Sequence, residues 1–305
     1  MPTSTTTTPP NAAERGFELK KSRRWPLLAA AAAVAVAVVA AVVLTSTGGS
    51  PTGAAHFGSE LKVAYLANDA AQQTVLEYVA KEIAPDYGVS VIPTAIGDPN
   101  QLSQATNDGD IAATVYAHRP WIEQTNAAKG WQITPTEPVF QWAYSLYSAR
   151  YASLEALPDG ATIAILDDPA NTAQALMLLA GADVITLDPA VEPAKATLKD
   201  VTQNPRNLVL KPIAFGTAAR SLSDIDAIIS YNFEFVAAGT PARYKIYAPD
   251  APPIFAAQLS IGTRYLTDPS IEKLVDAFAD PRLQEYLATT DDPKVHDQLT
   301  PVSRP

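Results

Sequence analysis

The chain has 305 residues, with 22 Lys+Arg against 32 Asp+Glu and a formal net charge of −10. That length holds one or two domains with real cores, and that acidity argues against nucleic acid as a partner, because phosphate binding needs clustered basic side chains. The absence of cysteine excludes disulfides, thiolate chemistry, cysteine metal sites and lipid attachment through a cysteine.

Residues 1–24 are polar, begin with the Thr/Pro-rich "MPTSTTTTPP" and read as a disordered segment. Trp25–Leu44, "WPLLAAAAAVAVAVVAAVVL", then runs without a charge. At ~1.5 Å per residue it reaches roughly 30 Å, the hydrocarbon thickness of a bilayer. Lys20, Lys21, Arg23 and Arg24 flank its start. That places residues 1–24 in the cytoplasm and everything after Leu44 outside, with the cell membrane crossed once. The run exceeds the roughly 7–15 apolar residues of a secretion signal, which favours an uncleaved anchor; its alanine content leaves cleavage open. Residues 45–59 are small and polar, a flexible tether. Because residues 1–24 are net positive, the exterior part is more acidic than the whole chain. An exterior domain of that charge is soluble and avoids anionic membrane surfaces.

From Leu61 onward, short apolar runs alternate with helical patterns. "LKVAYL" predicts a strand and "AAQQTVLEYVAKEIA" a helix, with Val75, Tyr78, Val79 and Ile83 at helical spacing. "VSVIPTA", "DIAATVYA" and "VFQWAYSLYS" predict further strands, separated by helices over "NQLSQATNDG" and "WIEQTNAAKG", the latter ended by Gly130. A second series starts at "ATIAIL", followed by a helix that Asp168 caps and Pro169 opens. "NLVLKPI", "DAIIS" and "FAAQLSIGT" read as strands, and "SIEKLVDAFADPRLQEYLAT" as helices. Strand–helix alternation predicts an α/β fold with parallel sheets, and two series predict two lobes. Ligands in such folds sit beyond the carboxyl ends of the strands or between lobes.

No nucleophile elbow, zinc-protease, P-loop or dinucleotide-binding pattern occurs. His56, His118 and His296 are too dispersed in the sequence for a metal cluster. Neither catalytic residues nor a metal or cofactor is expected. Asp167–Asp168, Asp291–Asp292, Asp224 and Asp226 read as caps and turns. Binding candidates cluster after strands. In "VYAHRPW", Tyr116, His118, Arg119 and Trp121 offer aromatic surface, an imidazole and a fixed cation, although Trp121 alone reads as core. In "SYNFEF", Asn232 either caps a helix or presents its amide. On the helix after Asp168, Asn171, Gln174 and Leu178 share one stripe. The start of that helix is a ready anion site, yet its first turns carry a neutral Gln174 and no cation.

"LPDGATIAILDDPANTAQALMLLAGADVITLDP" resembles the corresponding helix-start segment of the NlpA lipoproteins, methionine-binding proteins of ABC importers. "GDIAATVYAHRPWIEQTNAAKG", "VTQNPRNLVLKPI", "SDIDAIISYNFEFVAAG" and "DPSIEKLVDAFADPRLQEYLAT" fit in the same order, so the similarity covers roughly residues 61–303. The resemblance implies a two-lobe, type II periplasmic-binding-protein-like fold. Lobe 1 would hold residues 60–145 and 245–305, and lobe 2 residues 146–244. It implies an amino-acid-like ligand, methionine or a related compound, held in the cleft by hinge closure. It also implies permease and ATPase subunits as partners, with Trp25–Leu44 tethering the chain in place of a lipid.

The residue match is partial. A family Tyr-Phe-Gln-His run reads Val115, Tyr116, Ala117, His118 here, and an Asn-Gly-Asn run reads Ser230, Tyr231, Asn232. A family His appears as Gln72. The family's helix carries an arginine that grips the ligand carboxylate; this chain has Gln174. An arginine makes two parallel charged hydrogen bonds, and replacing charged by neutral bonding costs on the order of tenfold in affinity. Three readings follow. Arg119 supplies the cation from the other lobe; the ligand lacks a free carboxylate or differs in shape; or the chain is an anchored sensing or interaction domain with a diverged, non-methionine pocket. On the resemblance, Tyr116, His118, Arg119, Asn171, Gln174, Ser230 and Asn232 are the expected ligand-binding residues.

Overall fold

The computed structural model describes residues 56–302. The cytoplasmic segment, the Trp25–Leu44 span and most of the tether lie outside the described residues. Among the described residues no helix is long and apolar enough to cross a membrane. The tether expected to reach residue 59 ends sooner. The backbone N–H groups of His56 and Phe57 donate to Asp268 Oδ2 at 2.5 and 3.0 Å, and the His56 ring stacks on Tyr265.

β1 (Glu60–Leu66) leads into α1 (Ala70–Tyr78). Asp69 caps α1 by accepting from the backbone of Ala71 and Gln72. The helix predicted to Ala84 does continue, but its winding changes to a π turn over Val79–Ile83 and a 3₁₀ turn over Ala84–Tyr87. Gly88 closes it in the left-handed region, φ 70°, where a residue without Cβ carries no penalty. β2 (Ser90–Ile96), α2 (Pro99–Asp108), β3 (Ala113–His118), α3 (Arg119–Lys129) and β4 (Ile133–Trp142) follow.

The single strand expected over "VFQWAYSLYS" is two strands, β4 and β5 (Tyr144–Tyr147), and they belong to different sheets. The reason is at Ala143. Its N–H donates to Gln298 O at 2.8 Å and its carbonyl accepts from Asn232 N at 3.0 Å. Partners outside the strands therefore replace the sheet ladder for one residue, and the chain passes from sheet to sheet. Because both flanks are buried and apolar, hydrophobic pattern alone shows no break.

The second series builds β6 (Thr162–Leu166), α4 (Pro169–Gly181), the short strands β7 (Thr186–Leu187) and β8 (Val201–Gln203), and β9 (Val209–Ile213). It continues with α5 (Ala218–Ser221), β10 (Ala227–Tyr231), α6 (Asn232–Ala237) and β11 (Lys245–Tyr247). β12 (Ala257–Gly262), α7 (Pro269–Ala279), α8 (Pro281–Thr289) and β13 (Leu299–Thr300) return to the first sheet.

The sheet orders are β13-β4-β12-β3-β1-β2 and β11-β5-β10-β6-β9, with β7 and β8 paired separately. β1 is parallel to β2 and β3, and β6 to β9 and β10. The sheets are mixed rather than purely parallel, because the crossing strands β4, β5, β11 and β12 all pair antiparallel. β5 and β11 lie in the second sheet, so the divisions expected at 145 and 245 fall instead at Ala143 and between Tyr247 and Ala257.

Beside this crossover lies a buried polar group that the apolar pattern does not anticipate. Ser145 and Ser230 oppose each other across β5 and β10. Their hydroxyls and Glu234 Oε2 are buried without a hydrogen-bond partner among the described residues. Glu234 Oε1 accepts from Gly216 N at 3.2 Å. Burial raises the Glu234 pKa from 4.5 to about 7. The stability this carboxyl contributes is complete below its unfolded value and is lost as pH rises through about 7. Glu234→Gln, which keeps an uncharged acceptor, is expected to fall less in melting temperature between pH 6 and pH 8 than the native chain. Calorimetry at the two pH values checks this.

Candidate functional site

A cavity of about 190 Å³ opens between the two sheets, beyond the carboxyl ends of β3, β6 and β10. Its polar centre forms where the first sheet's His118 meets the second sheet's Asn171. His118 ends β3 and caps α3: its Nδ1 accepts from Trp121 N at 3.2 Å. Nε2 therefore carries the ring proton and donates to Asn171 Oδ1 at 3.3 Å. The imidazole is 2% exposed, and burial lowers its pKa to about 4. It is neutral at physiological pH and supplies no cation.

Asn171 is set by the start of α4. Asp168 caps the helix with Oδ1 on Asn171 N at 3.0 Å, while Oδ2 accepts from Asn171 Nδ2 at 2.7 Å. The amide is thereby oriented with its oxygen outward. That oxygen takes the Tyr231 hydroxyl at 2.6 Å as well as His118, and the Asn171 carbonyl accepts from Tyr144 Oη at 3.3 Å. The anion position expected at this helix start is thus filled by the chain's own Asp168.

Aromatic rings make most of the wall. Tyr116 and Trp121 meet edge to face on one side; Trp142, Phe215, Tyr231 and Phe233 line the other. Tyr116 Oη donates to Pro99 O at 3.0 Å and contacts Ser103 Oγ. Trp142 Nε1 donates to Asp69 Oδ2 at 3.1 Å. Asp69 is fully buried, and burial raises its pKa against the pull of its N–H donors from Gln72, Trp142 and Ala71. Gln72 spends its side chain here, donating to Asp69 and accepting from Leu66 N.

The residues expected at the ligand divide in two. Tyr116, His118 and Asn171 line this cavity together, joined by Trp121, which the sequence reading assigned to the core. Arg119, Gln174, Ser230 and Asn232 do not line it. Arg119 is exposed and borders a separate depression with Glu123, Glu192 and Lys195, so the structure does not bring it in as a substitute cation. Gln174 lies behind Tyr231, whose hydroxyl is 3.4 Å from Gln174 Oε1, and lines a neighbouring cavity of about 170 Å³. Ser230 and Asn232 are placed by strand alternation: Tyr231 lines the cavity and its neighbours point away. Asn232 Nδ2 donates instead to Asp297 O at 3.2 Å.

Trp142, Phe215, Tyr231, Phe233 and the Asp167–Asp168 pair also line the cavity and were not expected there. Tyr231 was legible as the residue between two polar candidates at a strand end. Trp142 was not, because its strand merged with the next. Among the described residues no group of three or more His, Asp or Glu is placed to hold a metal ion.

Asn171→Ala removes the shared acceptor of His118 and Tyr231 and the Asp168 contact. Each donor left buried and unpaired costs about 1–3 kcal/mol. Urea unfolding is expected to show a loss of that size or more, with a smaller loss for Asn171→Ser.

Comparison with known proteins agrees with this architecture. Residues 61–299 match the NlpA lipoprotein family. Lipoprotein 28 of Escherichia coli is 33% identical over 184 residues, 59% of this chain and 67% of that protein. The D-methionine-binding lipoprotein MetQ of Escherichia coli is 31% identical over 184 residues, with the same coverage of 59% and 67%. A solved periplasmic substrate-binding protein of an ABC transporter from Coxiella burnetii superposes with a TM-score of 0.68 at 27% identity, covering 79% of this chain and 99% of that one. The two sheets with a cavity between them are thus the two-lobe periplasmic-binding-protein fold, and the chain belongs to the NlpA lipoprotein family as a substrate-binding protein, not an enzyme.

Proposed function

We propose that this protein is the membrane-anchored, extracytoplasmic solute-binding component of an ABC importer. In this reading Trp25–Leu44 holds it at the membrane, permease and ATPase subunits are its partners, and the ligand is a small amino-acid-like molecule in the cavity between the sheets. The observation that carries the reading is the His118–Asn171 hydrogen bond at 3.3 Å. It joins the carboxyl end of β3 to the start of α4, so the site is complete only when the two lobes are closed on it. Closure of two lobes over a guest is how a binding protein commits a ligand without chemistry. The relatives' names support the ligand class: MetQ is D-methionine-binding, and the Coxiella protein is a substrate-binding protein of an ABC transporter.

Tyr116, His118, Asn171 and Tyr231 are the proposed contacts. Gln174 acts one hydrogen bond behind them, and Arg119, Ser230 and Asn232 are left outside the contact set. The apolar wall receives an apolar side chain, and methionine is the first compound to test.

The full chain, purified in mild detergent, is expected to gain melting temperature with at least one amino acid, amine or short peptide at millimolar concentration. Binding at 100 times Kd adds about 2.7 kcal/mol. No stabilisation by any compound overturns the binding reading. In cells the chain is expected to sediment with membranes and to be released by detergent but not by high salt; release by salt alone would remove the anchor from the proposal.

A further inference from the structure

The charge around the cavity has one sign. Asp167 and Asp168 line it, no lysine or arginine among the described residues does, and His118 is neutral. Arg119 faces a different depression, in company with Glu123 and Glu192.

The donors that a carboxylate needs are already committed. His118 Nε2 and Tyr231 Oη donate to Asn171 Oδ1, Asn171 Nδ2 to Asp168, Tyr116 Oη to Pro99 O and Trp142 Nε1 to Asp69. Of the lining side chains, the Trp121 indole, the Asn100 amide and the second Asn171 Nδ2 hydrogen keep donors without a partner among the described residues, and all of them are neutral. At the start of α4 the cap is itself an acid: Asp168 takes the Asn171 N–H and sets its negative charge where an anion would lie. A guest carboxylate would exchange its water shell for neutral donors alone while facing like charge.

A cation meets the opposite situation. Each Asp168 oxygen accepts one bond, from Asn171 N and Asn171 Nδ2, and keeps a lone pair for another donor. Six aromatic residues line the rest, and aromatic faces attract ammonium groups, more strongly once water is excluded.

We propose that the cavity selects a small organic cation that lacks a free carboxylate: an ammonium head on a short apolar body, the class formed when an amino acid loses or masks its carboxyl group. The proposal rests on the solute-binding reading above and narrows it. The cavity volume of about 190 Å³ confines the guest to a small molecule, and the acidic pair sets the end at which its charge lies.

Calorimetric titration of the full chain at pH 6.5, below the ordinary α-amino pKa, compares four probes of one shape. These are methionine, methioninamide, 3-(methylthio)propylamine and 3-(methylthio)propionate. The amide and the amine are expected to bind at least about tenfold tighter than methionine, a difference of about 1.4 kcal/mol, and the propionate not at all. Methionine binding within threefold of the amide, or tighter, overturns cation selection and leaves the solute-binding reading standing. Binding of none of the four, nor of any compound in the wider panel, overturns both. Asp168→Asn keeps a side chain that caps helices well and is expected to bring the amine-to-methionine ratio toward one. An unchanged ratio in a variant of native melting temperature removes Asp168 from the selection.

Discussion

Asn171 is the point at which the two halves of this protein are held to one geometry. Its backbone N–H and its Nδ2 are taken by Asp168, its Oδ1 by His118 and Tyr231, and its carbonyl by Tyr144. The partners come from β3, from β5, from β10 and from the residue that starts α4 itself. A single buried amide thereby fixes the distance between strand ends of two different sheets. The requirement that buried polar atoms find partners gives that arrangement its specificity, since His118 and Tyr231 both direct their donors to the one Asn171 Oδ1.

The same requirement shapes the electrostatics. His118 is buried among these contacts and stays neutral, so it can donate one hydrogen bond and accept another where an imidazolium could only donate. Asp69 solves the opposite problem, a buried carboxyl surrounded by donors from α1 and Trp142. Its position fixes the Trp142 indole and with it one wall of the cavity. The site thus inherits both its lack of a cation and its ring geometry from groups whose first role is to satisfy the backbone of neighbouring helices.

How far this was legible in the sequence depended on whether a signal was local. Capping by Asp168, opening by Pro169 and closure by Gly130 are local chemistry, and the structure has each where the sequence places it. Tyr116, His118 and Asn171, expected at the ligand from their places at a strand end and a helix start, line one cavity. What sequence could not supply was the partner of Ala143, a loop residue more than a hundred positions away. Without it the β4–β5 crossover stayed invisible, and Trp142 with it. Nor could it say which of three consecutive residues at the end of β10 faces the cavity, since all three are buried and only the register against β5 decides.

That register sets the two largest departures from the resembling family's pattern beside each other. Where the family run has glycine, this chain has Tyr231; where the family helix has arginine, it has Gln174. The ring of Tyr231 occupies space that a glycine leaves empty, and its hydroxyl bridges Asn171 and Gln174. Gln174 consequently lies behind the tyrosine, lining a different cavity. A glutamine suits that position: it accepts the second, longer contact of the hydroxyl and brings no charge into a buried place, where an unpaired guanidinium would be costly. The neutral Gln174 and the Tyr231 ring meet in one contact, the hydroxyl against the amide oxygen. Gln174 supports the wall from behind, and Asp167 and Asp168 are the acids that line the cavity.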